Sequence, residues 1–437
     1  MFFVNKLINA RQYILSYRAN KTIRDVQWSF LSLATSSLAH LLLRMTLGKE
    51  LGPSGLGTYT LVFTIYMFGM QFAAFGFGAA LTNYIAEHKK NTSKTKEYIS
   101  SGFIGSIISG TTIGILLYSF SDFISTRFFH IPEMVILLKI TAFCFPFIAI
   151  QKATTGTLNG FRKMNYFAMI NILQNTFVFL ISVFFVLFLK MGVTGAVIGF
   201  VVPTIVIGVL SLLFIRKSLF LPSKTVLIRV LREITWFGFY VVLANSIGLI
   251  NTQIASLLVG RFMSETDVGY YATAVIIMQG LTLLPSAVQS VTTPTMATYY
   301  GNREYSKIKE LIKSTMLKVF AIEFMFLIFL TLFGKYIIMI LFSEEFVPAY
   351  VPMLILSIGY LLYAPWMSVG AIFACIGKVN LSFKLNGLCA ILNTALNLLF
   401  IPIFGLIGAA SATAFSLIIT FGINIHYMKK YTMQVTC

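Results

Sequence analysis

Residues 192–217 read GVTGAVIGFVVPTIVIGVLSLLFIRK, an uncharged apolar stretch followed at once by the basic pair Arg216 and Lys217. An α-helix rises about 1.5 Å per residue, so about 20 apolar residues cross the hydrocarbon core of a bilayer. The stretch 192–215 therefore predicts a membrane-spanning helix. Because cytoplasmic loops are enriched in Lys and Arg, the basic pair indicates that this helix ends on the cytoplasmic side.

The composition of the whole chain points the same way. The 437 residues are 57% hydrophobic and only 11% charged, whereas soluble domains carry about 25% charged residues. This composition argues against a soluble enzyme. The formal net charge of +19 has two explanations, either a nucleic-acid-binding patch or basic residues gathered on one side of a membrane.

Twelve apolar segments reach, or nearly reach, the length needed to cross the bilayer. The chain is therefore predicted to be an all-α polytopic membrane protein with twelve transmembrane helices. The predicted spans are 26–48, 58–86, 99–120, 133–151, 166–189, 192–215, 234–260, 269–297, 315–334, 349–375, 385–402 and 404–428.

The basic residues alternate between the two sides of these spans. The two termini and the loops that follow even-numbered spans, together with Lys318 just inside the ninth span, hold 26 Lys and Arg, whereas the loops that follow odd-numbered spans hold five. This asymmetry predicts that both termini are cytoplasmic, so the charge is mostly a topology signal and no nucleic-acid partner is expected. Residues 1–25 are predicted to form a cytoplasmic or interfacial segment, and residues 429–437 a cytoplasmic tail.

The two halves of the chain are similar at an offset of about 213 residues. Gly57-Thr-Tyr-Thr60 corresponds to Gly269-Tyr-Tyr-Ala272, Lys163-Met-Asn165 to Lys378-Val-Asn380, and Gly192-Val-Thr-Gly-Ala196 to Gly405-Leu-Ile-Gly-Ala409. Six spans is an even number, so both halves enter the membrane from the same side as parallel repeats. The prediction is two parallel six-helix bundles, 26–215 and 234–428, joined by the basic linker 216–233, with a substrate path between the bundles.

Three stretches resemble the polysaccharide transporters. Leu47-Gly-Lys-Glu-Leu-Gly-Pro-Ser-Gly-Leu-Gly-Thr-Tyr59 is similar to their first-loop signature, although Lys49 stands where that motif often begins with Arg. Val268-Gly-Tyr-Tyr-Ala272 with Leu284-Pro285 is similar to the start of their second half. Gly377-Lys-Val-Asn380, Asn393, Asn397, Ile401-Pro402 and Gly405-Leu-Ile-Gly-Ala-Ala410 resemble their last two spans. The chain thus resembles the O-antigen flippase (Wzx-like) group of the multidrug/oligosaccharidyl-lipid/polysaccharide exporter superfamily.

This resemblance implies a MATE-like fold and a transporter, not an enzyme. The implied activity is translocation of an undecaprenyl-pyrophosphate-linked oligosaccharide from the cytoplasmic to the outer leaflet of a bacterial inner membrane. It implies no cofactor, and coupling to a proton or sodium gradient stays open. The implied partners are the lipid-linked oligosaccharide, membrane lipids, a polysaccharide polymerase and a chain-length regulator.

A polar stripe runs along the first predicted span, where Ser29, Ser32, Ser36, His40 and Arg44 recur at helical spacing. Ionisable residues inside a membrane are costly, so each is a candidate for function. In one interpretation the stripe lines a hydrated cavity in which His40 or Arg44 meets the anionic head group. In the other, Arg44 lies near the outer end of its span and extends to the interface.

Two further ionisable residues lie within predicted spans. Lys139, in the fourth span, is a candidate for the path of a pyrophosphate, or else reaches the outer interface. Glu323, in the ninth span, is the acidic residue nearest to mid-membrane. It is a candidate for binding a coupling ion, and the alternative is a protonated or locally paired glutamate that packs between helices.

Amides and hydroxyls in the second half complete the candidate site. Asn245, Thr252 and Ser256 share one face of the seventh span, and the last two stand at the repeat positions of His40 and Arg44. Gln279 lies in the eighth span. Such side chains bond sugar hydroxyls, but they also bond neighbouring helices, and packing is the favoured role for Asn386, Asn393 and Asn397 of the eleventh span.

Two other functions are alternatives to the flippase. A cation-coupled multidrug exporter of the same superfamily is expected to carry several membrane acids, whereas this chain has Glu323 against Arg44 and Lys139. A membrane enzyme such as a polymerase would need a sizeable outer loop, but the longest outer loop is only about 335–348. The four cysteines lack metal-ligand spacing, so no metal site is expected.

Overall fold

The computed structural model describes residues 21–434, and this part of the chain is helical with no β-strand. The predicted N-terminal segment lies largely outside the described residues, as do the last three residues of the tail. The α-helices of the described part are α1 Lys21–Ala74, α2 Phe77–Glu87, α3 Thr92–Asp122, α4 Met134–Ala142, α5 Phe145–Gly160, α6 Met164–Val183, α7 Gly192–Ser211, α8 Lys224–Phe262, α9 Glu265–Leu281, α10 Leu283–Gly301, α11 Tyr305–Leu341, α12 Tyr350–Met367, α13 Ile372–Cys375 and α14 Val379–Gln434.

Short irregular helices extend several of these elements. Phe123–Phe128 and Phe184–Phe188 are π-helical and follow α3 and α6, and the 3₁₀ segments are Leu212–Phe214, Arg216–Ser218 and Glu344–Ala349.

Local capping explains where α9 begins. The Ser264 hydroxyl accepts a hydrogen bond from the Asp267 amide at 3.3 Å, and the Ser264 amide donates to the Asp267 carboxylate at 3.2 Å. This capping box starts α9 immediately after α8 ends.

Two very long helices each break at a glycine. In α1 the break is at Gly52, with φ 67°, and in α14 it is at Gly405, with φ 58°. A left-handed φ is strained for any residue that carries a Cβ, so glycine is favoured at both points. Each of these helices therefore consists of two helical arms. The predicted spans 385–402 and 404–428 both lie in α14, whereas α1 carries 26–48 and residues 58–74 of the second span, which continues in α2.

Nine helices within residues 21–434 are long and apolar enough to cross a membrane. The number becomes ten if α4 and α5, which are bent by 44° at residues 143–144, form one crossing. In this number Gln27–Glu87, of 61 residues, and Val379–Tyr431, of 53 residues, are each counted as one helix, although each is long enough for two crossings. The structure thus confirms an all-helical fold with multiple apolar helices.

The backbone repeats at the positions where the sequence repeats. Gly192 and Gly405, which open the last predicted span of each half, both have left-handed φ angles, 59° and 58°. Arg162 and Gly377, each directly before the matched Lys-x-Asn, also have left-handed φ angles, 55° and 73°. The matched sequence segments therefore also share their turn geometry.

The residues of the chain form two compact units. The first unit contains the described residues up to 44, with 66–121 and 136–243, and the second contains 45–65, 122–135 and 244 onwards. This division by contact differs from the predicted sequence halves, because segments 45–65 and 122–135 of the first half pack within the second unit. The predicted bundle boundaries themselves stay a prediction.

The first unit has an apolar core that includes the predicted linker. Phe77, Leu81, Ile85 and Ile99 pack with Val230 of the linker in one buried cluster. Polar contacts hold the linker to the start of α3: the Tyr98 hydroxyl donates to Glu233 at 2.5 Å, and Arg229 pairs with Glu97 at 3.0 Å. The linker is therefore an ordered part of this unit.

The second unit has its own buried cluster, which includes Met296, Ile312, Trp366, Phe373 and Met428. Outside the two cores, many large apolar side chains are exposed, as in Phe30, Leu33 and Leu332. Such exposure would be unfavourable in water and is expected where helices face lipid.

Candidate functional site

The predicted polar stripe of α1 lies on the more buried side of its helix. Ser32 is only 5% exposed, and Ser36, His40 and Arg44 are half-buried. Apolar residues between them, such as Leu33 and Leu38, are mostly exposed. The helix therefore turns these polar side chains toward the first unit and leucines such as Leu33 and Leu38 outward, while Leu43 is buried beside Arg44. This arrangement is expected for a polar seam shielded from lipid.

His40 and Arg44 belong to a polar seam between α1 and α6. The Asn175 side chain forms a hydrogen bond with His40, and Arg44 interacts electrostatically with His40. The Asn175 amide also donates to the Asn171 carbonyl at 2.7 Å. The seam thus presents one cation, one imidazole and an amide close together, which is a set of groups able to bind phosphate or sugar oxygens.

Gln174 extends this polar region toward α7. Its Nε2 donates to the Thr204 hydroxyl at 2.9 Å, whereas its Oε1 is buried with no hydrogen-bond partner among residues 21–434. A buried acceptor without a partner is unfavourable unless another group supplies a donor. A donor such as a water molecule would satisfy this oxygen.

Lys139 lies in α4 and is half-buried. Its ammonium group sits over the ring of Tyr118, 5.7 Å from the ring centre. A ring in this position is a favourable partner for a cation. The contact joins α4 to α3 within the first unit. The polar seam formed by His40, Arg44 and Asn175 instead joins α1 to α6.

The candidate residues of α8 are not equally accessible. Asn245 and Thr252 are exposed, whereas Ser256 is only 4% exposed. The Thr252 hydroxyl donates to the Gly248 carbonyl at 3.1 Å, a bond within its own helix. Gln279, near the end of α9, is exposed. These residues belong to the second unit, whereas His40, Arg44 and Lys139 belong to the first.

The asparagines at the start of α14 bond to α8. Asn393 donates to the Asn251 carbonyl at 3.1 Å, and Asn251 donates to the Asn386 carbonyl at 3.3 Å. Asn397 donates to the Asn393 side chain at 2.7 Å. These contacts have the form of helix packing, the role favoured for these residues from the sequence.

Glu323 is a buried acid on a helix that is otherwise widely exposed. Its side chain is 3% exposed, and it shares the inner row of α11 with Val319 and Leu330. Its Oε1 has no hydrogen-bond partner among the described residues. A buried carboxyl group in this state favours a bound proton or a cation that the protein does not itself supply.

Gln253 is a polar residue of the second unit that the sequence did not single out. It is 9% exposed, and its Oε1 lies 3.4 Å from the Thr64 hydroxyl. The available signal was an amide in the apolar span 234–260, which it shares with Asn245 and Asn251. The neighbouring residue Thr252 is exposed, whereas the Gln253 side chain lies on the buried side of α8. The sequence alone does not distinguish these two orientations.

The predicted outer segments of both halves meet in the second unit. The Arg261 guanidinium is 3.3 Å from the His130 ring nitrogen and lies over the ring of Phe128, 5.5 Å from its centre. The Ser54 hydroxyl donates to Glu265 at 3.3 Å. These contacts join residues 54 and 128–130 to residues 261–265. Within residues 21–434 no group of three His, Cys, Asp or Glu is placed to hold a metal ion.

Apolar helices around internal polar seams define a multi-pass membrane protein, and the comparisons with known proteins specify its family. The chain belongs to the polysaccharide biosynthesis protein family, whose model matches residues 22–300. The MatE family model matches residues 241–399. A candidate O-antigen transporter of Shigella flexneri is 21% identical over 398 residues, which cover 89% of this chain and 93% of that protein.

Solved structures share the fold. The lipid II flippase MurJ, in an inward closed conformation, superposes with a TM-score of 0.78 at 18% identity, covering 94% of this chain and 90% of that one. An inward-facing multidrug resistance MATE transporter gives 0.76 at 18% identity, covering 93% and 98%. The predicted resemblance to this exporter superfamily is confirmed, and the matched relatives are transporters and flippases, not enzymes.

Proposed function

We propose that the protein is a flippase that moves an undecaprenyl-pyrophosphate-linked oligosaccharide from the cytoplasmic to the outer leaflet of a bacterial inner membrane. The observation that carries the proposal is the polar seam of His40, Arg44 and Asn175 in a member of the polysaccharide biosynthesis family. A guanidinium, an imidazole and an amide placed close together are groups that bind the oxygens of a pyrophosphate and its attached sugar.

The proposed mechanism is alternating access by the two sequence halves, with twelve spans and both termini in the cytoplasm. The pyrophosphate head meets Arg44 and His40 while amides such as Asn175 and Gln174 bind the sugar. The polyprenyl tail stays in lipid. Lys139 over Tyr118 is proposed to serve the anionic head later on its path, and Asn245, Thr252, Ser256 and Gln279 to serve the sugar from the second unit.

Glu323 is proposed to couple transport to a proton or sodium gradient. Its burial and its unpartnered oxygen support this role. A polysaccharide polymerase and a chain-length regulator are the proposed partners that receive the translocated unit.

Reconstitution tests the proposal directly. The purified chain is placed in liposomes with a fluorescent undecaprenyl-pyrophosphate oligosaccharide, and exposure of the sugar to an added glycosidase is followed over time. We expect transbilayer movement with the wild type and none with empty liposomes. Equal movement in both would contradict the proposal. Single cysteines placed at Asn302 and Ser343, in a variant whose four native cysteines are replaced by serine, test the topology, since only the former should be labelled from the cytoplasm.

The alternative is a cation-coupled multidrug exporter, which the MatE match over residues 241–399 favours. Such an exporter would extrude cationic dyes from the same liposomes under an ion gradient. Dye export without movement of the lipid-linked oligosaccharide would establish this alternative, and the reverse result would exclude it.

A further inference from the structure

A groove of about 720 Å³ runs along the outside of the second unit, between α11, α12 and α14. Three lysines line one part of it, Lys309 and Lys313 from α11 and Lys429 from α14. The other lining residues are apolar, among them Leu317 and Phe320. The groove thus combines a strongly basic region with an apolar floor, and no acidic residue within 21–434 lines it.

The dimensions of the groove match one leaflet of a bilayer. Lys309 and Phe320 are eleven positions apart on α11, so they differ by about 16 Å along the helix axis. Half of the hydrocarbon core is about 15 Å thick. Lys309, Lys313 and Lys429 are exposed, as are Leu317 and Phe320. The groove is therefore open to lipid along its length, with its cations where the head groups lie.

We propose that this groove binds an anionic phospholipid, with the phosphate held by Lys309, Lys313 and Lys429 and one acyl chain lying along the apolar floor. Charge complementarity carries the assignment, because three ammonium groups together attract a phosphate and would repel a cationic ligand. The apolar floor argues against a purely polar ligand, because the polar groups of such a ligand would lose their hydrogen bonds to water and gain none from the floor. Assigning this leaflet to the cytoplasm rests on the proposed orientation of the chain.

The bound lipid has a structural consequence. Its phosphate would bridge α11, which carries Lys309 and Lys313, and α14, which carries Lys429. These helices also meet in the buried cluster through Ile312 and Met428. The lipid therefore ties together the cytoplasmic ends of two helices that pack against one another, and α11 is the helix that bears Glu323.

Native mass spectrometry of the purified full chain tests the site. The protein is exposed to equal amounts of phosphatidylglycerol, phosphatidylcholine and undecaprenyl phosphate, and the lipids retained are counted. We expect preferential retention of phosphatidylglycerol by the wild type. The triple variant Lys309→Gln, Lys313→Gln, Lys429→Gln should lose this preference, with binding about fivefold weaker for each lysine removed.

A matched control removes three exposed lysines elsewhere in the predicted cytoplasmic loops, Lys89→Gln, Lys90→Gln and Lys94→Gln. It should retain phosphatidylglycerol as the wild type does. Leu317→Trp keeps all three groove lysines, but the larger side chain would occupy the space proposed for the acyl chain. This variant should therefore also lose the bound lipid. Size-exclusion chromatography checks that each variant is folded.

Four results would overturn the proposal. They are equal retention of phosphatidylcholine, wild-type retention by the groove triple variant, an equal loss in the control triple variant, and preferential retention of undecaprenyl phosphate, which would assign the groove to the carrier. Because no transport is measured, a failure here leaves the proposed flippase activity unaffected.

Discussion

Gly57 and Gly269 stand at matched positions of the sequence repeat and pack reciprocally in the second unit. A methyl group on Gly57 would overlap the Glu265 carbonyl oxygen, and one on Gly269 would overlap the Pro53 carbonyl oxygen. Each glycine therefore contacts the residue four positions before the other. This exchange of equivalent contacts is what two parallel repeats produce when they meet around a common axis.

The reciprocal packing predicts matched effects of Gly57→Ala and Gly269→Ala. Each added methyl group would force the two backbones apart, and overpacking of this kind costs about 1–3 kcal/mol. We expect both variants to lower the midpoint of thermal unfolding by a similar amount, measured for purified protein in nanodiscs.

Gly248→Ala is the control for these two variants. Gly248 lies inside α8, and an added methyl group would meet nothing within 4 Å. Alanine is a better helix former than glycine by about 0.5–1 kcal/mol, so this variant should be neutral or more stable. A Gly57→Ala variant as stable as Gly248→Ala would show that the close contact does not exist.

Much of the fold was predictable because a span is a local property of the sequence. Segment 192–215 is apolar along its whole length, and the structure places α7 within it. The sequence repeat indicated that Gly192 and Gly405 are equivalent positions, and the structure adds that both have left-handed φ angles. The division into two units was not predictable, because it depends on contacts such as Arg261 with His130, which are distant in sequence.

The candidate site was predictable only in part. The spacing of Ser32, His40 and Arg44 showed that they share a face, and the structure adds that this face is the more buried one. The partner Asn175 could not be deduced, because nothing in the sequence aligns α6 with α1. Gln253 was missed for a similar reason, since its burial is set by the rotation of α8.

Charge reversal at Arg44 tests the polar seam. Arg44→Glu would place a negative charge beside His40 and repel a pyrophosphate, and losing a favourable charge contact of this kind costs about 2 kcal/mol or more. We expect transport of the lipid-linked oligosaccharide to fall about thirtyfold while the protein inserts normally. Arg44→Lys keeps the charge and should retain more activity.

Lys139→Glu is expected to reduce transport in the same assay, because it removes the cation that sits over Tyr118. Lys335→Glu is the control for both reversals, since Lys335 is an exposed lysine over the ring of Tyr350, 5.3 Å from its centre. If Arg44→Glu and Lys139→Glu both insert and transport at the wild-type rate, these residues do not line the substrate path.

Asn393 tests the distinction between packing and substrate binding. Asn393→Ala removes the hydrogen bond to the Asn251 carbonyl, and such bonds between membrane helices are worth about 1 kcal/mol. We expect a lower unfolding midpoint with little change in transport rate. Asn386→Ala is a close control, because Asn386 accepts the hydrogen bond from Asn251 through its backbone carbonyl, which the substitution keeps. Lost transport with unchanged stability in Asn393→Ala would instead assign this residue to the substrate.

Glu323→Gln separates ion coupling from packing. Glutamine has nearly the same shape as glutamate and fits the same buried place on the inner row of α11, but it cannot release or bind a proton there. We expect transport driven by an ion gradient to fall to the rate measured without a gradient, while exchange of labelled substrate at equilibrium continues. Glu310→Gln, on the exposed part of the same helix, should leave both rates unchanged. A Glu323→Gln variant that still responds fully to the gradient would leave Glu323 with a packing role only.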